Sequence, residues 1–218
     1  MGELWQRVGE RPIVGGLDEN AKGNVLLRAG ALTGWIGSAK QISGAQEAAK
    51  NLVSESIATF ETLERVSRVA EAEIELAYCY WREGAFDEAR VMLREALSRL
   101  SHNDIELKAV GLLASAIVER AANRYNDSLR IQMEAATFFE QLENYSLQGS
   151  FHNVFANVLE NLGRTEQRAD YIDRALIEYA AASYHFEQAR HQRYAGCVEN
   201  NLGFLLVISA DSKRPMSI

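Results

Sequence analysis

Apolar residues in this chain recur at three- and four-residue intervals rather than at every second position. That spacing puts side chains on one face of an α-helix. Leu76, Ala77 and Tyr80 form one such stripe, and Leu93, Ala96 and Leu97 form another. β-branched residues are scattered and nowhere alternate with polar ones over a strand's length. The stripes predict nine helices, near residues 18–36, 44–63, 67–83, 87–100, 104–122, 126–142, 146–162, 166–189 and 192–209. Pro12 and Pro215 bracket 202 residues without a proline, so nothing in that stretch forces a break in helical hydrogen bonding.

Local punctuation supports these limits. Asp18 is a suitable N-cap for the first long helix. Ser43 with Gln46, and Asn103 with Glu106, have the spacing of a capping box. Gly84 and Gly163 are placed to end helices in a left-handed turn, and Asn123 is the next most tolerant residue for that role. Residues 1–17 hold at most one short helix before Pro12 and the Gly15–Gly16 turn. Residues 209–218 read as a polar, disordered tail.

Composition narrows the class. Of 218 residues, 47% are apolar and 24% charged, an ordinary globular balance. No apolar run approaches a membrane span, and the first ten residues lack a signal-peptide core. A net charge of −7 argues against a general nucleic-acid binder, which is normally basic. Two cysteines are too few for a disulfide framework. A cytoplasmic protein with no membrane or nucleic-acid partner is expected.

The stripes also repeat. Residues 70–100 carry Leu76-Ala77, Tyr80, Gly84, Phe86, Ala89, Leu93 and Ala96-Leu97. The alanines are small where two antiparallel helices come closest, the larger residues fill the space between them, and Gly84 makes the turn. Leu112, Ala116, Asn123, Tyr125, Ser128 and Ala135 follow the same order, as do Phe155-Ala156, Leu159, Gly163 and Ala175. Leu202-Gly203 and Leu206 begin a further copy, and Leu26, Gly30 and Gly37 mark a degenerate early one.

This order of small and large positions resembles the tetratricopeptide repeat (TPR), over about residues 20–208 and at the 40-residue spacing of its longer subtype. Residues 26–60 and 175–189 are similar to the early part of longer bacterial TPR proteins of unassigned function. The resemblance implies an all-α fold, a right-handed α-α superhelix of four helix pairs plus one C-terminal helix. It implies a single array over 18–208, with repeats near 18–63, 67–100, 104–142 and 146–189 and a half repeat at 192–208. Leu202, Leu205 and Leu206 of the half repeat are expected to leave an apolar face uncovered, either as a simple cap or as a contact for more of the array or a second copy.

No catalytic set emerges. His102, His152, His185 and His191 have no metalloprotease spacing and read as solvated or network residues. Cys79 and Cys197 fall at inner helical positions and read as small buried hydrophobes. Gly30, Gly34 and Gly37 read as a small face for close helix contact, because Trp35 stands where a phosphate loop needs lysine. No enzyme activity, cofactor or metal is expected.

The resemblance implies instead a groove lined by the first helix of each repeat. Carried onto this chain, it offers Arg28 and Trp35 from the first repeat and Tyr78, Trp81 and Arg82 from the second. Ile117 and Arg120 come from the third. Asn153, Asn157 and Glu160 come from the fourth, and Asn200, Asn201 and Phe204 from the last helix. Asparagine amides can pair both backbone groups of a peptide, and Trp and Arg are common anchors. Asn157 and Asn201 match the two asparagines of the chaperone-tail clamp found in some members. Asn153 and Cys197 stand where its lysines belong, which argues against that ligand. The implied function is a non-enzymatic scaffold or adaptor holding a protein or peptide segment. The alternatives are a ligand-sensing domain of a bacterial regulator, or a self-assembling module or fragment of a longer TPR protein that pairs as a homodimer through its C-terminal helix.

Overall fold

A computed structural model describes residues 3–212, with side chains to Val207. Among these residues there are nine helices and no strand. They are α1 (Glu19–Ala39), α2 (Ala45–Thr62), α3 (Val66–Glu83), α4 (Phe86–Arg99), α5 (Ile105–Ala121), α6 (Tyr125–Phe139), α7 (Tyr145–Thr165), α8 (Ala169–Gln188) and α9 (Gln192–Ser212). Each lies within a few residues of its expected limits. α9 continues to Ser212, past the point where a tail was expected, and the rest of that tail lies outside the described residues. No described helix is long and apolar enough to cross a membrane.

The chain divides into two compact units, Met1–Val118 and Glu119–Ile218. In the first, α1 packs on α2, α2 on α3 and α3 on α4. The small positions behave as their pattern requires. Ala77, Ala89 and Ala96 are buried with Ile74 and Leu93 in the α3–α4 core, while Tyr80 and Phe86 pack against it half-buried. Gly111 of α5 lies so close to Leu97 that an added Cβ would come within 2.9 Å of it. In the second unit, α6 packs on α7, α7 on α8 and α8 on α9.

Most helix ends share one device. Gly84 (φ 79°), Asn123 (φ 60°), Gln167 (φ 54°), Glu64 (φ 54°) and Arg190 (φ 55°) are all left-handed. After each, the next N–H reaches back five residues, as in Ala85 to Tyr80 O (3.0 Å) and Arg168 to Gly163 O (3.0 Å). This is the Schellman arrangement, which satisfies carbonyls that the helix end leaves open. It uses Gly84 and Asn123 as expected. Gly163 does not end its helix, since α7 runs on to Thr165 and Gln167 takes the turn. Gly163 is instead a point of close approach, where a Cβ would sit 2.6 Å from Ile172.

The caps divide in the same way. Asp18 accepts from the Ala21 N–H at 2.8 Å. The Ser43–Gln46 box does not form. Gly44 is the N-cap in a left-handed conformation, and Gln46 Nε2 donates to Gly34 O at 2.8 Å. Asp104, not Asn103, precedes α5, and its carboxylate accepts from the backbone N–H and hydroxyl of Ser101 and from the Ser67 hydroxyl. Those three bonds, the Ser101 and Ser67 hydroxyls first, hold it below its usual pKa.

Residues 3–17 contain no helix. They form a hook of turns whose Trp5, Val8 and Val14 pack on Leu26, Ala29 and Leu52.

Candidate binding surfaces

The residues expected to line a groove fall into two sets, one in each unit. In the first unit, α3 presents Tyr78, Trp81 and Arg82 together. The two rings meet edge to face at 6.2 Å. The Arg82 guanidinium lies 5.6 Å from the centre of Tyr78 and 5.9 Å from that of Trp81, a distance at which a cation is attracted by the ring face. Gly34 of α1 makes room for it, because a Cβ there would stand 3.2 Å from Arg82 Nη1. That nitrogen is buried and has no hydrogen-bond partner.

Arg28 of α1 is exposed and places one nitrogen 2.8 Å from Glu71. It reaches the same neighbourhood through Glu75. Burial pushes the Glu75 carboxyl up, against the opposing charges of Arg82 and Arg28. The Tyr78 phenol is pushed up by burial first and then by the Glu75 charge. Trp35 is 43% exposed, while Ile117 of α5 is half-buried. The carboxylates Glu71 and Glu75 were missed from the sequence. Their spacing to Tyr78 and Arg82 (71, 75, 78, 82) puts all four on one helix face, and that was the available signal.

Beside Arg28 the hook leaves a cleft of about 490 Å³, lined by Leu4, Trp5, Val25, Ala29, Leu32 and Arg28 together with Glu3 and Asn24. Arg28, Leu32 and Trp35 follow one another at helical spacing on the outer side of α1.

In the second unit, the asparagines of α7 turn inward on their own helix. Asn157 Nδ2 donates to Asn153 O at 2.6 Å, and Asn161 Nδ2 to Asn157 O at 2.7 Å. Thr165 continues this row by donating to Asn161 O. The amides of Asn157 and Asn161 are therefore engaged along α7. Glu160 accepts from the Tyr179 hydroxyl at 2.8 Å and pairs with Arg164 at 2.7 Å. Arg164 also lies 5.2 Å from the Phe204 ring centre, so it joins Glu160 to Phe204. Arg120 is half-buried and its Nε has no hydrogen-bond partner. Asn200 is exposed and Asn201 half-buried.

A second cluster lies between α7 and α8. The rings of His152 and His185 stack at 5.1 Å with planes 3° apart. His152 Nδ1 is 2.7 Å from Glu178 Oε2, and Arg174 Nε lies 3.8 Å from the other carboxylate oxygen. His185 Nδ1 is buried without a partner. Burial lowers the His185 pKa, and the charge of His152 lowers it further.

The cysteines differ from each other. Cys79 is buried, and burial pushes its thiol up to about 11. Cys197 is exposed rather than buried as its position suggested, because α9 turns Ala195 and Val198 inward instead. The described residues contain no group of three or more His, Cys, Asp or Glu side chains able to hold a metal. Neither protein-family models nor curated proteins give a match to this chain.

Proposed function

We propose that this chain is a TPR-type scaffold that binds a peptide or protein segment without chemistry. The observation that carries the reading is the Tyr78–Trp81–Arg82 cluster, with Trp35 exposed on α1. Aromatic and arginine side chains grouped on one surface are the usual anchors of protein recognition. Within each unit, helices packed on their sequence neighbours, α1 to α4 in one and α6 to α9 in the other, are compatible with such a repeat. A right-handed superhelix and a cytoplasmic location go with this reading.

The test is selection from a displayed library of random peptides. The native chain is expected to enrich a motif. Trp35→Ala/Trp81→Ala is expected to lose that enrichment while keeping the helical circular dichroism of the native chain. No enrichment, or the same enrichment by both, overturns the reading.

Self-association is a second reading, favoured by α9. Gly196 and Gly203 would meet nothing within 4 Å among the described residues if each carried a Cβ, and Phe204 and Val207 are 56% and 62% exposed. Leu205, by contrast, is fully buried, so substitution there would test folding rather than assembly. Sedimentation velocity is expected to show a mass that rises with concentration and falls back on Val207→Glu. A strict monomer at millimolar concentration removes this reading.

A further inference from the structure

We propose that the cleft between the N-terminal hook and α1 binds a small monocarboxylate with an aliphatic body. The aliphatic part lies against Leu4, Trp5, Val25 and Leu32, and the carboxylate meets Arg28. This inference shares Arg28 with the surface around Glu75 but rests on the cleft, whereas the peptide reading rests on the Tyr78–Trp81–Arg82 cluster.

Three observations lead to it. The first is size and lining. A cleft of about 490 Å³ walled mostly by apolar side chains falls within the range of small-molecule sites, which run from about 300 to 1,000 Å³.

The second is rigidity. The hook is a string of turns, yet it is tied at several points. The Trp5 indole N–H donates to Glu10 O at 3.0 Å, and the Ile13 N–H donates to Leu4 O at 2.7 Å. Arg11 holds Glu55 of α2 with two N–H groups, at 2.7 and 2.6 Å. Trp5 is 7% exposed. A cleft already held open in this way spares a ligand the cost of ordering it.

The third is charge. The Arg28 side chain is 61% exposed and places Nη2 on Glu71. A guanidinium has five N–H donors in a fork suited to carboxylates. A ligand body in the cleft removes water from the edge of that guanidinium, and a carboxylate on the ligand replaces the lost hydration. Glu71 is shared between Arg28 and Arg68, which leaves positive charge on Arg28 for one carboxylate, whereas a dicarboxylate would bring its second charge against Glu3 and Glu71.

The experiment titrates the full chain with decanoate and, separately, with decanol, both below micelle-forming concentrations, followed by ¹H–¹⁵N NMR. Decanoate is expected to give saturable shifts concentrated at Leu4, the Trp5 indole, Val25 and Leu32. Decanol is expected to bind about tenfold more weakly, the loss of one charge-assisted hydrogen bond. Arg28→Gln is expected to erase that difference, and Leu32→Glu to abolish decanoate binding by placing a like charge in the cleft. Both positions are exposed, so both variants are expected to keep the native spectrum elsewhere. Shifts that scatter without saturating overturn the proposal. So does decanol binding as tightly as decanoate, or Arg28→Gln binding decanoate as the native chain does.

Discussion

The first and last helices carry glycines at the same seven-residue spacing, and their surroundings are opposite. On α1, Gly23, Gly30 and Gly37 are each met by the neighbouring helix. Added Cβ atoms would come within 2.8 Å of Phe60, 2.6 Å of Val53 and 2.2 Å of Ala45. On α9, Gly196 and Gly203 face open space among the described residues. A heptad of glycines thus makes a close approach available without supplying the helix that uses it. On α1 the approach is taken up by α2, whose Ser56 hydroxyl also donates to Gly23 O at 2.9 Å. The cost of glycine's backbone freedom is then offset by packing. On α9 that cost has no such return among the described residues.

The comparison can be broken at several places. The largest effect is expected at Phe60, which is fully buried against Gly23. Phe60→Ala should cost about 3–5 kcal/mol, the range for emptying a buried aromatic site, read from urea unfolding. Next is Gly30→Ala. Alanine is the better helix former, but here its methyl meets Val53 Cγ2 at 2.6 Å and the Ala49 carbonyl at 3.1 Å. Overpacking of about 1–3 kcal/mol should outweigh the gain. An unchanged or raised midpoint would show that α2 yields easily.

Acid should separate the two units, with a smaller effect. His185 has a folded pKa below its ordinary 6.5. The unfolded state therefore takes up a proton that the folded state refuses, and stability falls as pH drops below about 6.5. In the first unit the sign is reversed. Glu73 is buried with Arg99 Nε at 2.9 Å, and burial still raises its carboxyl above 4.5. The folded state binds that proton first, so stability rises as pH falls toward 4.5. Hydrogen exchange at pH 7 and pH 5 should show protection falling in α7 and α8 but not in α3 and α4. Replacing His185 with Phe should remove the acid loss, and persistence of that loss would place its origin elsewhere. The smallest effect is Gly203→Ala, expected to raise stability by about 0.5–1 kcal/mol because nothing opposes the added methyl. A decrease would mean that α9 is covered in solution.

Much of the fold was legible because helix formation is local. Stripes at three- and four-residue spacing, Asp18 as a cap, and Gly84 and Asn123 as turn residues act within a few positions of themselves. The small alanines of α3 and α4 could be placed for the same reason, since their order reflects a repeated helix-pair contact. The binding surfaces were legible only in part. Tyr78, Trp81 and Arg82 share a helix face, so their grouping follows from spacing. The asparagines of α7 share a face too, but the amides of Asn157 and Asn161 bond back to carbonyls four residues earlier, a local alternative open to short polar side chains. Glu71, Glu75 and Arg164 went unnoticed because charged residues at such spacings usually belong to solvated faces.

The sequence alone determined where the helices run, that apolar stripes pair them with their neighbours, and which positions are small enough for close packing. All of these depend on hydrogen bonds and side-chain spacing within a turn or two of chain. Tertiary structure decided the rest. It brought the hook over α1 to form a cleft, and it stacked His152 on His185. It placed Glu64, Gln167 and Arg190 in left-handed turns that no local rule assigns to them. It also filled the glycine face of α1 and left that of α9 open. The physical reason is the same in each case: these outcomes depend on partners far away along the chain, whose approach no local pattern encodes.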